Sequence, residues 1–219
     1  MYQTGHKVHR VLSDITYVFD QNESYAITGV SGSGKSTLLA LLGGIDEPST
    51  GSVWCDNQNL SYLGVEKKES FLHATIGLVF QFHYLIQELS ILENVMIRGL
   101  IQGKTVAECT KDARRLLDYM GLSHKEHAYP RELTGGEQQR ASIARAVYNK
   151  PRIQLADEPT GRLDAENAER VCNLLIDCQR DWGLGLIVAT HDPLIYARMN
   201  KVLRLVDGEL VHTTGQSID

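Results

Sequence analysis

No stretch of this sequence approaches the roughly eighteen consecutive apolar residues that a membrane-crossing helix requires, and the first residues lack the apolar core of a secretion signal. Any membrane role is therefore expected to pass through another chain. Cysteine is scarce: Cys55, Cys109, Cys172 and Cys178 form no C-x-x-C pair and no Cys/His cluster at zinc spacing. That excludes a disulfide framework and reads as free, buried or half-buried thiols in a reducing cytosol. The histidines are scattered and suggest no metal site of their own. Positive charge is short too, 22 Lys and Arg against 27 Asp and Glu for a net charge of −5, which argues against the basic stripe of a nucleic-acid surface. No internal repeat and no low-complexity linker occurs. What remains is 219 residues, 42% of them hydrophobic, enough for one large domain or one domain with a sub-domain.

The chain is organised around Gly29-Val30-Ser31-Gly32-Ser33-Gly34-Lys35-Ser36-Thr37, which fits G-x-x-x-x-G-K-[ST]. Tyr25-Ala26-Ile27-Thr28 before it reads as a buried strand, and Leu38–Leu42 after it reads as a helix closed by Gly43-Gly44. Strand, glycine loop and helix in that order make an anion site. Backbone N–H groups and the positive helix end face phosphates, and glycines let the backbone approach closely. Lys35 reaches the β- and γ-phosphates and the Ser36 hydroxyl can ligate Mg²⁺. The sequence therefore predicts a nucleoside-triphosphate site.

In chain order, Val11-Leu12 and Ile15–Phe19 read as strand material. Ser52–Cys55 reads as a short strand, Val65–His73 as a charged helix, and Ile76–Phe80 as an apolar strand ending on Gln81. Residues 82–139 read as a helical sub-domain. Ser90/Glu93 and Thr105/Glu108 are capping boxes, and the second helix stops at Gly121. Pro151–Glu158 holds a strand, Ala165–Trp182 a long amphipathic helix, Leu184–Thr190 a buried strand, and Asp207-Gly208 a hairpin turn. Alternating strands and helices predict an α/β fold with a mainly parallel sheet, antiparallel β elements at its edge and the helical insertion, all in one domain, 1–219.

The expected chemistry gathers at strand ends, because ligands of open α/β sheets sit outside the carboxyl ends of the strands. Asp157 is placed to hold Mg²⁺, and Glu158, one peptide on, suits the base that orients and polarises the attacking water. Gln81 can ligate Mg²⁺ and bond a water, or can simply be a surface glutamine. His191 can donate to the γ-phosphate. A further stretch, Thr134-Gly135-Gly136-Glu137, makes a capping box with two glycines in a first turn, where glycine is costly. It reads as a second anion site gripping the phosphate tail held by another copy of the chain. Phe82, Tyr84, Leu85 and Ile86 form an apolar cluster after Gln81 that is either sub-domain core or a dock for a membrane partner.

These segments resemble the motifs of the ATP-binding-cassette (ABC) ATPases, in family order and over nearly the whole chain. Gly29–Thr37 looks like Walker A, Gln81 the Q-loop, and Leu133–Glu137 the signature. Ile153–Glu158 looks like Walker B with its glutamate, Leu163-Asp164 the D-loop, and His191 the switch histidine. Leu42–Asp46, Phe80–Leu85 and Leu155–Gly161 resemble the lipoprotein-releasing ATPases most closely, with macrolide-exporter and cell-division ATPases as near relatives. The resemblance implies an enzyme using ATP and Mg²⁺ as a homodimer on the cytoplasmic face of a bacterial inner membrane. It would dock on integral-membrane permease subunits and move a lipoprotein or other amphiphile. A non-transport, ATP-gated regulator of a cell-wall or division complex is the alternative; a nucleic-acid ATPase is disfavoured by the charge. Tyr2 falls where the family stacks an aromatic on adenine, with no edge strand before it, so the expected start lies upstream or the form is a shortened one. Thr134 replaces the usual signature Ser, Arg162 the usual Asn, and Gln87 the usual Pro; Gln154 interrupts an apolar strand.

Overall fold

The computed structural model describes residues 2–4 and 7–212, with side chains from Arg10 onward. Strands β1 (Tyr2–Thr4) and β2 (Lys7–His9) pair antiparallel. The stacking expected of the Tyr2 side chain lies outside the described residues.

Strand β3 (Ser24–Thr28) is buried at every residue, as a strand covered on both faces must be. It runs into the glycine loop and α1 (Lys35–Leu42). Gly44, with φ 65°, turns the chain away after the C-cap Gly43. Next come the ribbon β4 (Trp54–Cys55) and β5 (Gln58–Asn59), helix α2 (Val65–Thr75) and β6 (Ile76–Val79). Helices α3 (Ile91–Ile101), α4 (Val106–Tyr119) and α5 (Gly135–Val147) each start at the capping box expected of them, with Ser90, Thr105 and Thr134 as caps. The helical insertion expected at residues 82–139 takes in α3, α4 and the first turn of α5. Strand β7 (Ile153–Asp157), helix α6 (Ala165–Trp182), strand β8 (Gly185–Ala189), helix α7 (Pro193–Tyr196) and the hairpin β9 (Lys201–Val206)/β10 (Glu209–His212) complete the chain. Asp207 (φ 49°) and Gly208 (φ 84°) make the hairpin turn, both left-handed as a twisted two-residue turn requires.

The main sheet has the order β10-β9-β3-β8-β7-β6; every pair is parallel except β10 with β9. Pleat alternation divides its side chains between two cores. Tyr25, Ile27, Leu155, Ile187 and Leu203 meet Leu38 and Leu39 of α1. Ala26, Ala156, Leu186 and Val188 meet a helical layer that includes Ile143, Val147, Val171 and Leu175.

The strands expected at Val11-Leu12 and Ile15–Phe19 do not form. The segment carries no ladder. Leu12, Ile15, Tyr17 and Phe19 nevertheless pack against the α1-side core, while Asp14, Thr16 and Val18 point outward. Period-two burial is satisfied by an extended chain lying over the core, and burial periodicity cannot say whether a second strand lies alongside.

Candidate functional site

Parallel order places four strand ends side by side. Residue 29 follows β3, residue 190 follows β8, residue 158 follows β7, and residue 80 follows β6. Pairing continues past the strands: Thr190 N donates to Ile27 O (3.0 Å) and Glu158 N to Ala189 O (2.9 Å). The glycine loop, His191, Glu158 and Gln81 thus share one edge of the sheet, as strand-end reasoning predicts.

In the loop, Gly29, Gly32 and Gly34 all have positive φ. A Cβ at Gly29 would lie 2.7 Å from Leu205 O, and one at Gly34 would lie 2.9 Å from Val11, whereas Gly32 faces open space. The first and third glycines are demanded by packing, and the middle one by its positive φ alone. The Lys35 ammonium donates to Gly29 O (2.9 Å) and Val30 O (3.2 Å), folded back on the loop it serves. Ser33 Oγ is buried without a protein partner.

Asp157 Oδ1 is also buried and unpartnered. Burial pushes the Asp157 pKa up, opposed by a hydrogen bond from Ser36 and the charge of Lys35. An acceptor oxygen stranded beside a serine hydroxyl suits a hard divalent cation, which would reverse that penalty. Among the described residues no three His, Cys, Asp or Glu side chains are grouped to hold a metal, so such an ion would need oxygens from a ligand as well.

Glu158 has left-handed backbone (φ 42°), uncommon for a non-glycine residue and a mark of a constrained site. His191 Nδ1 lies 2.9 Å from Glu158 Oε1. An ionised carboxylate only accepts, so Nδ1 carries the proton. The contact with Glu158 engages Nδ1 alone, and the expectation from sequence that His191 donates to a γ-phosphate stands beside it. Thr190, fully buried, accepts from Asp192 N (3.0 Å) and donates to Glu158 Oε2 (3.4 Å). Asp192 also accepts from Thr160 Oγ1 (3.1 Å). The carboxylate is gripped from both sides while its own side chain stays 16% exposed.

The Thr134–Glu137 stretch lies at the start of α5. Thr134 N donates to Glu137 Oε2 (2.8 Å) and Glu137 N to Thr134 Oγ1 (3.3 Å), so the threonine caps as a serine would. Its glycines differ. A Cβ on Gly136 would collide with Asn167 Oδ1, while one on Gly135 would meet only Leu163 at 3.6 Å. Contact with α6 accounts for Gly136, and Gly135 keeps its open face.

The apolar cluster after Gln81 also divides. Leu85 is 6% exposed and belongs to the core, whereas Phe82, Tyr84 and Ile86 are 49%, 66% and 37% exposed. Gln139 Nε2 donates to Phe80 O (3.3 Å), and Arg145 donates to His83 O and Tyr84 O (2.9 and 2.7 Å). Sequence reasoning missed Thr190, Gln139 and Arg145. Only Thr190 carried a signal, its place beside a strand-end histidine.

Residues 12–161 match the ABC transporter family. The lipoprotein-releasing system ATP-binding protein LolD of Idiomarina loihiensis is 42% identical over 95% of this chain and 92% of its own length. That of Saccharophagus degradans is 44% identical with the same coverage. Two solved dimers of the ATP-binding cassette MJ0796, one in a post-hydrolysis state bound to ADP and Pi, superpose with a TM-score of 0.88 at 34% identity, covering 95% of this chain and 92% of theirs.

Proposed function

The chain belongs to the ABC transporter family, and on that premise we propose that it is the ATP-hydrolysing subunit of a bacterial lipoprotein-releasing transporter. It works as a homodimer docked on integral-membrane permease subunits at the cytoplasmic face of the inner membrane. No described helix is long and apolar enough to cross a membrane, so attachment runs through those subunits. The observation that carries the reading is the gathering of the glycine loop, Asp157, Glu158 and His191 at adjacent strand ends, with two buried oxygens, Ser33 Oγ and Asp157 Oδ1, lacking protein partners.

Backbone N–H groups of 29–37, with Ser31, Ser33 and Thr37 beside them, cradle the phosphates of ATP, and Lys35 turns from its carbonyls to the β- and γ-phosphates. Ser36, Asp157 and Gln81 would hold Mg²⁺, which would supply positive charge against that of the phosphates. Glu158, oriented by His191 and Thr190, takes the proton of the attacking water. Thr134, Gly135, Gly136 and Glu137 of one copy complete the site of the other, which is the two-fold arrangement symmetric dimers favour.

Phosphate release from Mg-ATP by the purified chain tests the enzyme. Glu158→Gln should lower turnover by roughly 100-fold or more while ATP binding persists; normal turnover in that variant would remove Glu158 as the base. The cargo is tested in inner-membrane vesicles holding the permease subunits, where ATP should free a lipid-anchored protein. Hydrolysis without any release would overturn the lipoprotein assignment alone.

A further inference from the structure

The guanidinium carbon of Arg162 lies 3.7 Å from the centre of the Phe82 ring. That is stacking distance for a planar cation on an aromatic face. No carboxylate among the described residues pairs with Arg162, and its charge also acts on the nearby His83.

The two ends of this contact sit on the two loops that matter for hydrolysis. Phe82 follows Gln81. Arg162 lies in the second of two consecutive tight turns that start at Glu158: Gly161 N donates to Glu158 O (3.1 Å) and Leu163 N to Thr160 O (3.0 Å). The loops also touch at their centres, since a Cβ on Gly161 would lie 3.0 Å from Gln81 Nε2. Gln139 and Arg145 of α5 hold the Gln81 loop by the carbonyls of Phe80, His83 and Tyr84. Those bonds act from the helical layer. The Arg162 stack adds a contact from the turn that follows Glu158.

We propose that Arg162 is a positioning residue that ties the Gln81 loop to the Glu158 turn, so that the groups serving the metal and the water keep their mutual spacing. The inference rests on the assignment of Gln81 and Glu158 to ATP hydrolysis. Hydrolysis steps are sensitive to small displacements of positioned groups. Nucleotide binding, which depends on the glycine loop and Lys35, is not routed through the stack.

The test uses the full chain and four variants: Arg162→Ala, Arg162→Lys, Phe82→Leu and the double variant Arg162→Ala/Phe82→Leu. Arg162→Ala should lower kcat about two- to five-fold with KM for ATP unchanged, a span set by what such a stack contributes. Phe82→Leu should do the same. The double variant should be no slower than either single one, because both remove one contact. Arg162→Lys should recover part of the loss, since an ammonium still sits over the ring. An unchanged kcat in Arg162→Ala, a multiplicative loss in the double variant, or a loss confined to KM would overturn the proposal. A readout independent of turnover separates this from failure of the ATPase assignment. With Trp54→Phe and Trp182→Phe in the background and the indole of Phe82→Trp as the single reporter, Arg162→Ala should raise its quenching by acrylamide about twofold. Unchanged quenching sinks the tie whatever the ATPase does, and a rise in a chain that hydrolyses no ATP leaves the tie standing and removes the ATPase assignment.

Discussion

At the scale of single residues, strand β7 carries a buried amide that its surroundings do not satisfy. Gln154 of β7 is fully buried, and neither its amide oxygen nor its nitrogen has a partner. It alternates with Ile153 and Leu155, so it faces the helical layer between its register neighbours Gly77 and Leu186. An unsatisfied buried amide costs about 1–3 kcal/mol, and an apolar residue of similar size removes that cost. Gln154→Leu should therefore stabilise the chain by about 1–2 kcal/mol, raising the thermal midpoint by roughly 2–8 °C for a domain of this size. A midpoint that stays or falls in calorimetry would mean that the amide is better served than its surroundings indicate. Lys35 belongs to the same scale. Lys35→Ala removes a charged donor to phosphate, a loss of about 1.5–3 kcal/mol or roughly 10- to 100-fold in ATP affinity. Equilibrium ATP binding within twofold of wild type would refute the loop's role.

At the scale of elements, what the sequence revealed and what it hid have separate physical causes. Capping boxes, the glycine loop and the Asp207-Gly208 turn act within a few residues, so their chemistry can be read locally. The structure places all of them where the sequence does. Contacts between distant segments leave no such trace. Nothing near Arg162 announces Phe82, and nothing near residue 136 announces Asn167. The extended segment 11–19 failed for a related reason, since its apolar alternation reports one covered face and is silent about edges. The two glycines at the start of α5 make this distinction measurable. Gly136→Ala drives a methyl into Asn167, an overpacking cost of about 1–3 kcal/mol, and should lower the thermal midpoint by several degrees. Gly135→Ala meets only Leu163 at contact distance, so its midpoint should hold or rise slightly. Equal effects would contradict the packing asymmetry. The exposed Phe82, Tyr84 and Ile86 belong here too. With Leu85 buried beneath them, a cysteine introduced by Tyr84→Cys should crosslink to the permease subunits. Crosslinks that avoid the segment 82–100 altogether would move the dock elsewhere.

At the scale of the whole molecule, the proposed site is divided between two distant stretches of one chain. The glycine loop lies at the sheet's strand ends, and Thr134–Glu137 opens a helix whose glycines face Leu163 and Asn167. Two copies related by a two-fold axis let each stretch serve a phosphate tail twice, and the related cassettes solved as dimers are assembled in pairs. Glu158→Gln keeps the side-chain size and removes the proposed base, so ATP should bind and be retained. That variant should accumulate as a dimer in Mg-ATP and revert to monomer without it, as read by size exclusion with light scattering. Adding Gly135→Asp should dissolve the dimer, because a carboxylate would then meet the γ-phosphate across the interface. The fold tolerates the change, since the open face of Gly135 accepts a side chain, and an unshifted thermal midpoint would confirm that any loss is one of association. A dimer that forms equally well with Gly135→Asp would show that the phosphate tail is not gripped by Thr134–Glu137 of the second copy. ATP-driven closure would then have to act through another surface.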